Sequence, residues 1–241
     1  MILILLIGAH FLADFTLQPT KLAENKTESA GYLLLHAGIY AAVTAIVGFL
    51  SVEWRAMLLP WGIIAVSHGL VDLLRVAADK KWPSGGARFR SFLLDQVIHL
   101  GVIAAAYYGF GLGEHTTTLI DGAIASDTVR GILVCAVIWV IIWDPASVFV
   151  RKLFNFTDNV SGGSGGSEPR AGRIIGKLER LIIVILVLAN QIGAIGFVLT
   201  AKSVARFKQL EDKDFAEKYL VGTLTSASIA IITALILRQY I

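Results

Sequence analysis

A single cysteine, Cys135, leaves no partner for an intrachain disulfide. It lies in an apolar run, where a lone thiol is expected to act as a small buried hydrophobe. Charge is scarce as well. Only 16% of the 241 residues are Asp, Glu, Lys or Arg, against roughly 25% in soluble domains, while 56% are hydrophobic and the mean hydropathy is +0.71. So few charges cannot coat a water-facing surface. No soluble domain is expected, and no nucleic-acid partner. The first residues lack a basic stretch, and His10 and Asp14 interrupt their apolar run, so a cleaved secretory signal is not expected either.

What is abundant is apolar sequence in span-sized pieces. A membrane-crossing helix needs roughly 20 mostly apolar residues. Seven segments qualify, at about 1–18, 31–50, 56–75, 91–112, 128–150, 181–201 and 219–237. Backbone polar groups in lipid must be satisfied within their own segment, so each is expected to be helical. The predicted fold is an all-α, polytopic transmembrane bundle of about seven helices. Residues 1–112 form a four-helix core and 113–241 the remaining helices. Pro19 and Pro60 sit near segment ends, and Pro145 is expected to kink the fifth segment. The stretch 161–167 reads SGGSGGS, the composition of a flexible linker.

Orientation follows from loop Lys and Arg. With the N-terminus outside, the inner loops hold twice as many basic residues as the outer ones, including Lys80, Lys81, Arg88 and Arg90 between the third and fourth segments. The loop carrying Glu114, Asp121 and Asp127 then falls outside. The basic loop after 201 disagrees, unless 181–201, with its polar NQIGAIG centre, is a re-entrant hairpin.

Four of five histidines fall in apolar segments, and three are paired with carboxylates at helical spacing: His10 with Asp14, His68 with Asp72, and Asp95 with His99. Residues i and i+4 share a helix face. The first and third helices run inward and read His then Asp. The fourth runs outward and reads Asp then His. All three carboxylates therefore lie nearer the cytoplasm, each with its histidine about one turn, roughly 6 Å, deeper. His36 and Asp144 fall in the same slab. An Asp at a helix centre costs roughly 2.5–3.5 kcal/mol to insert, and a bound cation would offset that cost. Imidazole and carboxylate ligands suit zinc, manganese or ferrous iron better than copper(I) or calcium, and bundles can build dinuclear sites from such ligands.

A lone His–Asp pair more often serves as an interhelical hydrogen bond than as a metal site. Three pairs at one depth favour a metal or catalytic centre. The expected ligands are His10, His36, His68, His99, Asp14, Asp72, Asp95 and Asp144, with Asp14, Asp72 and Asp95 as the catalytic carboxylates. Gln18, Lys21, Arg75 and Gln96 would form a rim for an anionic head group, although any one basic residue there also fits an ordinary positive-inside collar. His115 is expected to be solvated, Glu179 and Arg180 to form a structural salt bridge, and Asn190 and Gln191 to glue helices together.

The stretch His10-Phe-Leu-Ala-Asp14-Phe-Thr-Leu-Gln18, with Glu24-Asn25-Lys26, His36, His68-Gly-Leu-Val-Asp72 and Asp95-Gln96-Val-Ile-His99, resembles a family of uncharacterised bacterial multi-pass membrane proteins, domain-of-unknown-function family 3307. The likeness covers roughly the first 110 residues. Gly172 to Arg180, Lys202 to Phe207 and Gly222-Thr223 look like the C-terminal region of longer members. The resemblance implies a bacterial inner-membrane protein and no particular activity. The first half is also loosely similar to membrane-bound metal-dependent hydrolases, a likeness of fold alone.

The leading reading is therefore a membrane-embedded, metal-dependent hydrolase. It would use zinc or manganese to activate water against a phosphate ester or acyl bond, on a lipid or lipid-linked substrate near the cytoplasmic leaflet. The alternatives are a metal-ion or proton transporter using the same residues and a non-catalytic scaffold. The outer halves of the first four helices are almost purely apolar, which favours a site over a path. Oligomeric state is left open.

Overall fold

The computed structural model describes residues 1–18, 29–161 and 170–241. Lys21, with Pro19, Glu24, Asn25, Lys26 and the Gly/Ser stretch beyond Ser161, lies outside them. The described chain is helical, with no strand among the described residues. Among the described residues, five helices are long and apolar enough to cross a membrane, and two shorter apolar ones, Ile2–Thr16 and Gly193–Ala205, accompany them. The chain divides into two units, Met1–Val140 and Ile141–Ile241.

In the first unit, α1 (Ile2–Phe11) runs directly into a π turn, Leu12–Thr16. Then come α2 (Ala30–Ser51), α3 (Trp54–Lys81) and α4 (Gly85–Gly109). These three have 22, 28 and 25 residues, about 33–42 Å at 1.5 Å per residue. The α3–α4 link is written in the sequence. Lys80 and Lys81 occupy the last turn of α3, where cations complement the helix dipole. Pro83 keeps Trp82 out of helical backbone, and the Ser84 hydroxyl caps α4 by accepting from the Ala87 N–H at 3.2 Å. Helix α1 packs on α2 and α4, α2 on α3, and α3 on α4, so the four close a ring around a shared seam. At one level that seam is apolar: Ile2, Leu6, Met57, Ile64, Ile103 and Ala106 bury together. A short helix α5 (Thr118–Ala125) follows, capped by Thr117. The chain before it is tied to the α2–α3 link, where the Glu53 N–H donates to the carbonyl of exposed His115 at 2.8 Å.

Helix α6 (Asp127–Ser161) runs from the first unit into the second. Pro145 lies within it, as Pro60 lies within α3, and neither ends its helix. Cys135, expected to be buried, is exposed on α6. On a membrane-crossing helix such a surface faces lipid, where a thiol is as well accommodated as in a core. The segment 181–201, expected as one span or as a re-entrant hairpin about its polar centre, is broken at that centre into two helices, α7 (Arg170–Leu188) and α8 (Gly193–Ala205). Asn190 adopts φ +59°. The Gln191 N–H reaches the Leu186 carbonyl at 2.7 Å and the Asn190 N–H that of Val187 at 3.1 Å, a Schellman ending with Asn in the left-handed position. Asn190 and Gln191 are thus a helix stop rather than glue. Helix α9 (Lys213–Leu237) starts on an Asp212 cap and packs along α7.

The second unit carries its own buried charges. Glu179 pairs with Lys202, not with Arg180. Arg180 instead donates to the Ile142 carbonyl at 2.5 Å, to Ser147 Oγ at 2.5 Å and to Ser226 Oγ at 2.9 Å, joining α6, α7 and α9. Glu179 is only 6% exposed, so removing its cation strands a carboxylate in an apolar surround. Lys202→Met is expected to destabilise this unit by about 3–5 kcal/mol, the usual cost of breaking a buried pair. Adding Glu179→Gln should restore most of that. Thermal unfolding of the detergent-solubilised variants reads both effects, and an unaltered Lys202→Met protein would show the pair to be idle.

Candidate metal centre

Each helix of the first unit contributes one inward stripe. On α2 the buried residues include His36, Tyr40, Thr44 and Gly48, each four apart. On α3 they include Ile64, His68 and Asp72, and on α4 Asp95, His99 and Ile103. Helix α1 ends its buried face with His10, and the π turn adds Asp14. The stripes meet beside the apolar seam. His10, Asp14, His36, His68, Asp72, Asp95 and His99 are all buried, none more than 4% exposed.

The π turn decides where Asp14 points. The Leu17 N–H reaches back five residues to the Leu12 carbonyl at 2.8 Å. Such a widened turn shifts the following register and recurs at functional sites. Asp14 Oδ1 lies 3.1 Å from His36 Nε2, and Asp14 Oδ2 accepts from Gln96 Nε2 at 2.9 Å. His10 takes a different course. Its Nδ1 lies 3.3 Å from Tyr40 Oη and its Nε2 3.2 Å from Gln96 Oε1. Gln96 therefore links His10 to Asp14.

His36 Nε2 is the hub. Besides Asp14, it lies 3.2 Å from Asp72 Oδ2 and 3.2 Å from His68 Nε2, and His68 Nε2 is 3.8 Å from Asp72. A ring nitrogen carries at most one proton, so it cannot serve three such neighbours at once. A cation can. Nitrogen and oxygen ligands at about 2.0–2.2 Å from an ion stand roughly 3.0–3.5 Å from one another, and the three neighbours of His36 Nε2 lie in that range at 3.1–3.2 Å. One ligand atom from each of Asp14, His36, His68 and Asp72 lies within 4.8 Å of every other, and the same holds for Asp72, Asp95 and His99. The chemistry and spacing of this donor set are such that it could hold a metal ion.

The rim is built from α3 and α4. Arg75 Nη1 donates to Asp95 Oδ2 at 2.8 Å and its Nε is 4.0 Å from Asp79, while its guanidinium lies over the Phe92 ring, 5.5 Å from the centroid. Gln96 Nε2 adds a bond to Asp95 Oδ2 at 3.0 Å.

A family model described as "Protein of unknown function (DUF3307)" matches residues 2–122. The chain belongs to this family. No curated protein and no solved structure matches it. The matched region takes in both donor groups, together with His10, Tyr40, Arg75 and Gln96.

Of the residues expected at the site, the structure brings together His36, His68, His99, Asp14, Asp72 and Asp95. His10 adjoins them, its ring centroid 5.3 Å from that of His99 and 6.1 Å from that of His68, but belongs to neither donor group. Asp144 is in neither group. It lies in the second unit, 2.6 Å from Lys177 Nζ, a lysine whose ammonium also sits over Trp143. Gln18 is partly buried just past the π turn. Gln96, expected on the substrate rim, is a bridge inside the cluster. Tyr40 went unnoticed in the sequence. Its ring stacks on His68 with centroids 3.5 Å apart, and its spacing of four from His36 is the signal that marks it.

Proposed function

We propose that the protein is a membrane-embedded, metal-dependent hydrolase. The observation that carries this reading is the convergence of Asp14, His36, His68 and Asp72 donor atoms within 4.8 Å of one another, buried among apolar helices. Asp14, His36, His68 and Asp72 would hold the metal, zinc or manganese by donor type, which would supply Lewis acidity and a more acidic water. A carboxylate oxygen of Asp14 or Asp95 would serve as the general base that takes a proton from the attacking water. The water oxygen bonds to phosphorus or acyl carbon, the ester C–O or P–O bond breaks, and the same carboxylic acid returns the proton to the leaving oxygen.

The surroundings support a substrate drawn from the bilayer. The turns of α3 and α4 that carry Asp72, Arg75, Asp95 and His99 also expose Leu70, Leu73, Leu74, Leu94 and Val97, so the approach to the rim is flanked by lipid-compatible surface. Arg75 and Gln18 are suited to an anionic head group. Transport is the less supported reading. A path through the ring would have to pass the buried Leu6, Met57, Ile64 and Ile103.

The test is turnover by the purified, metal-loaded protein of a phosphate-ester lipid and of an acyl-ester lipid in mixed micelles. One class should be hydrolysed. Chelation should slow it at least about a hundredfold, because metal activation contributes several kcal/mol, and added metal should restore it. No turnover of either class, with metal-driven flux in proteoliposomes, would replace hydrolysis by transport.

A further inference from the structure

We propose that the centre is dinuclear, with Asp95 and His99 forming a second cation site that shares Asp72 with the first. This rests on the metal reading of the first group, and not on hydrolysis. Two buried atoms point to it. Asp95 Oδ1 and His99 Nε2 are each buried without a hydrogen-bond partner among the described residues, although they lie 3.2 Å apart. The distance suits a hydrogen bond but the alignment does not, and buried polar atoms without partners are costly and rare. A shared cation satisfies both, since two donors on one ion stand about 3.0–3.5 Å apart.

The orientation of Asp95 is built. Arg75 Nη1 at 2.8 Å and Gln96 Nε2 at 3.0 Å both bind Oδ2, which leaves Oδ1 for His99. Asp95 and His99 are one helical turn apart on α4 and only 2% and 3% exposed. A donor atom of Asp72 lies within 4.8 Å of theirs. Asp72 is the one residue common to both donor groups, and a carboxylate has two oxygens, so it can serve an ion on each side. Adjacent sites bridged in this way are the arrangement that stabilises both the attacking and the leaving oxygen of a displacement. Asp95 then has Oδ1 on an ion and Oδ2 held by both Arg75 and Gln96, which withdraws it from the candidates for general base.

The full-length protein, purified and loaded with manganese(II) before desalting, gives the test by elemental analysis and electron paramagnetic resonance. The wild type should hold two ions per chain with an exchange-coupled spectrum. His99→Ala, and separately Asp95→Asn, should each hold one ion with an uncoupled six-line spectrum. One ion per chain in the wild type, unchanged by His99→Ala, would overturn the second site and leave the first standing. Two coupled ions in an Asp95→Asn, His99→Ala double variant would overturn it equally. A wild type that binds no metal would remove both sites. Because the wild-type stoichiometry and coupling decide the matter alone, poor folding of a variant does not rescue the proposal.

Discussion

Asp72→Asn is expected to abolish metal binding and activity while leaving the fold of the metal-free protein as stable as before, or more so. Asp72 Oδ2 lies 3.2 Å from His36 Nε2 and 3.8 Å from His68 Nε2, and Asp72 is common to both donor groups. Asparagine keeps its volume and much of its hydrogen bonding but not its charge. If the cluster only glued helices, the change would matter little, because interhelical hydrogen bonds in membranes average roughly 0.6 kcal/mol. If Asp72 faces a cation, the lost charge removes the main attraction holding it. The neutral side chain also costs less to bury, so unfolding without metal should shift slightly upward. Detergent thermal stability with and without added metal, alongside complementation of a deletion strain, separates these cases. Full complementation by Asp14→Asn, Asp72→Asn and Asp95→Asn alike would leave a packing role only.

The histidines divide in a way the sequence does not suggest. His36→Ala and His68→Ala each remove a donor from the Asp14–His36–His68–Asp72 group, and together they should bring metal content close to zero. His10→Ala should do less. His10 belongs to neither group and acts through Gln96 and Tyr40. Such outer partners orient ligands, and their loss typically weakens binding by about 10–100-fold. His10→Ala should therefore bind the same number of ions at raised free-metal concentration. A complete loss of binding in His10→Ala would place that ring on the metal.

The core of the site was legible because helical periodicity is rigid. His68–Asp72 and Asp95–His99 each sit four apart, and the reversed order on α4 put both at one depth once the helices alternated in direction. What escaped is what periodicity does not encode. The π turn at Leu12–Thr16 inserts one extra residue per turn locally, so His10 and Asp14, expected side by side, meet through Gln96 instead. Gln96 is a ligand-orienting bridge only because α4 lies against α1, a packing fact. Asp144 was placed by depth alone, and Lys177, 33 residues away in the chain, takes its carboxylate. A break at the NQIGAIG centre was legible as the re-entrant alternative, but the role of Asn190 in it was not, since a polar pair there fits glue as well as a Schellman stop. Tyr40 reads as an ordinary aromatic until His68 is seen stacked on it.

Metal content is the most direct measure of the account. Protein purified without chelator, as wild type and as the His36→Ala, His68→Ala double variant, should be compared by elemental analysis. The wild type should carry at least one transition-metal ion per chain and the double variant close to none, with both retaining helical circular dichroism. A metal-free wild type that is nonetheless active, or a double variant with undiminished metal, would contradict the account.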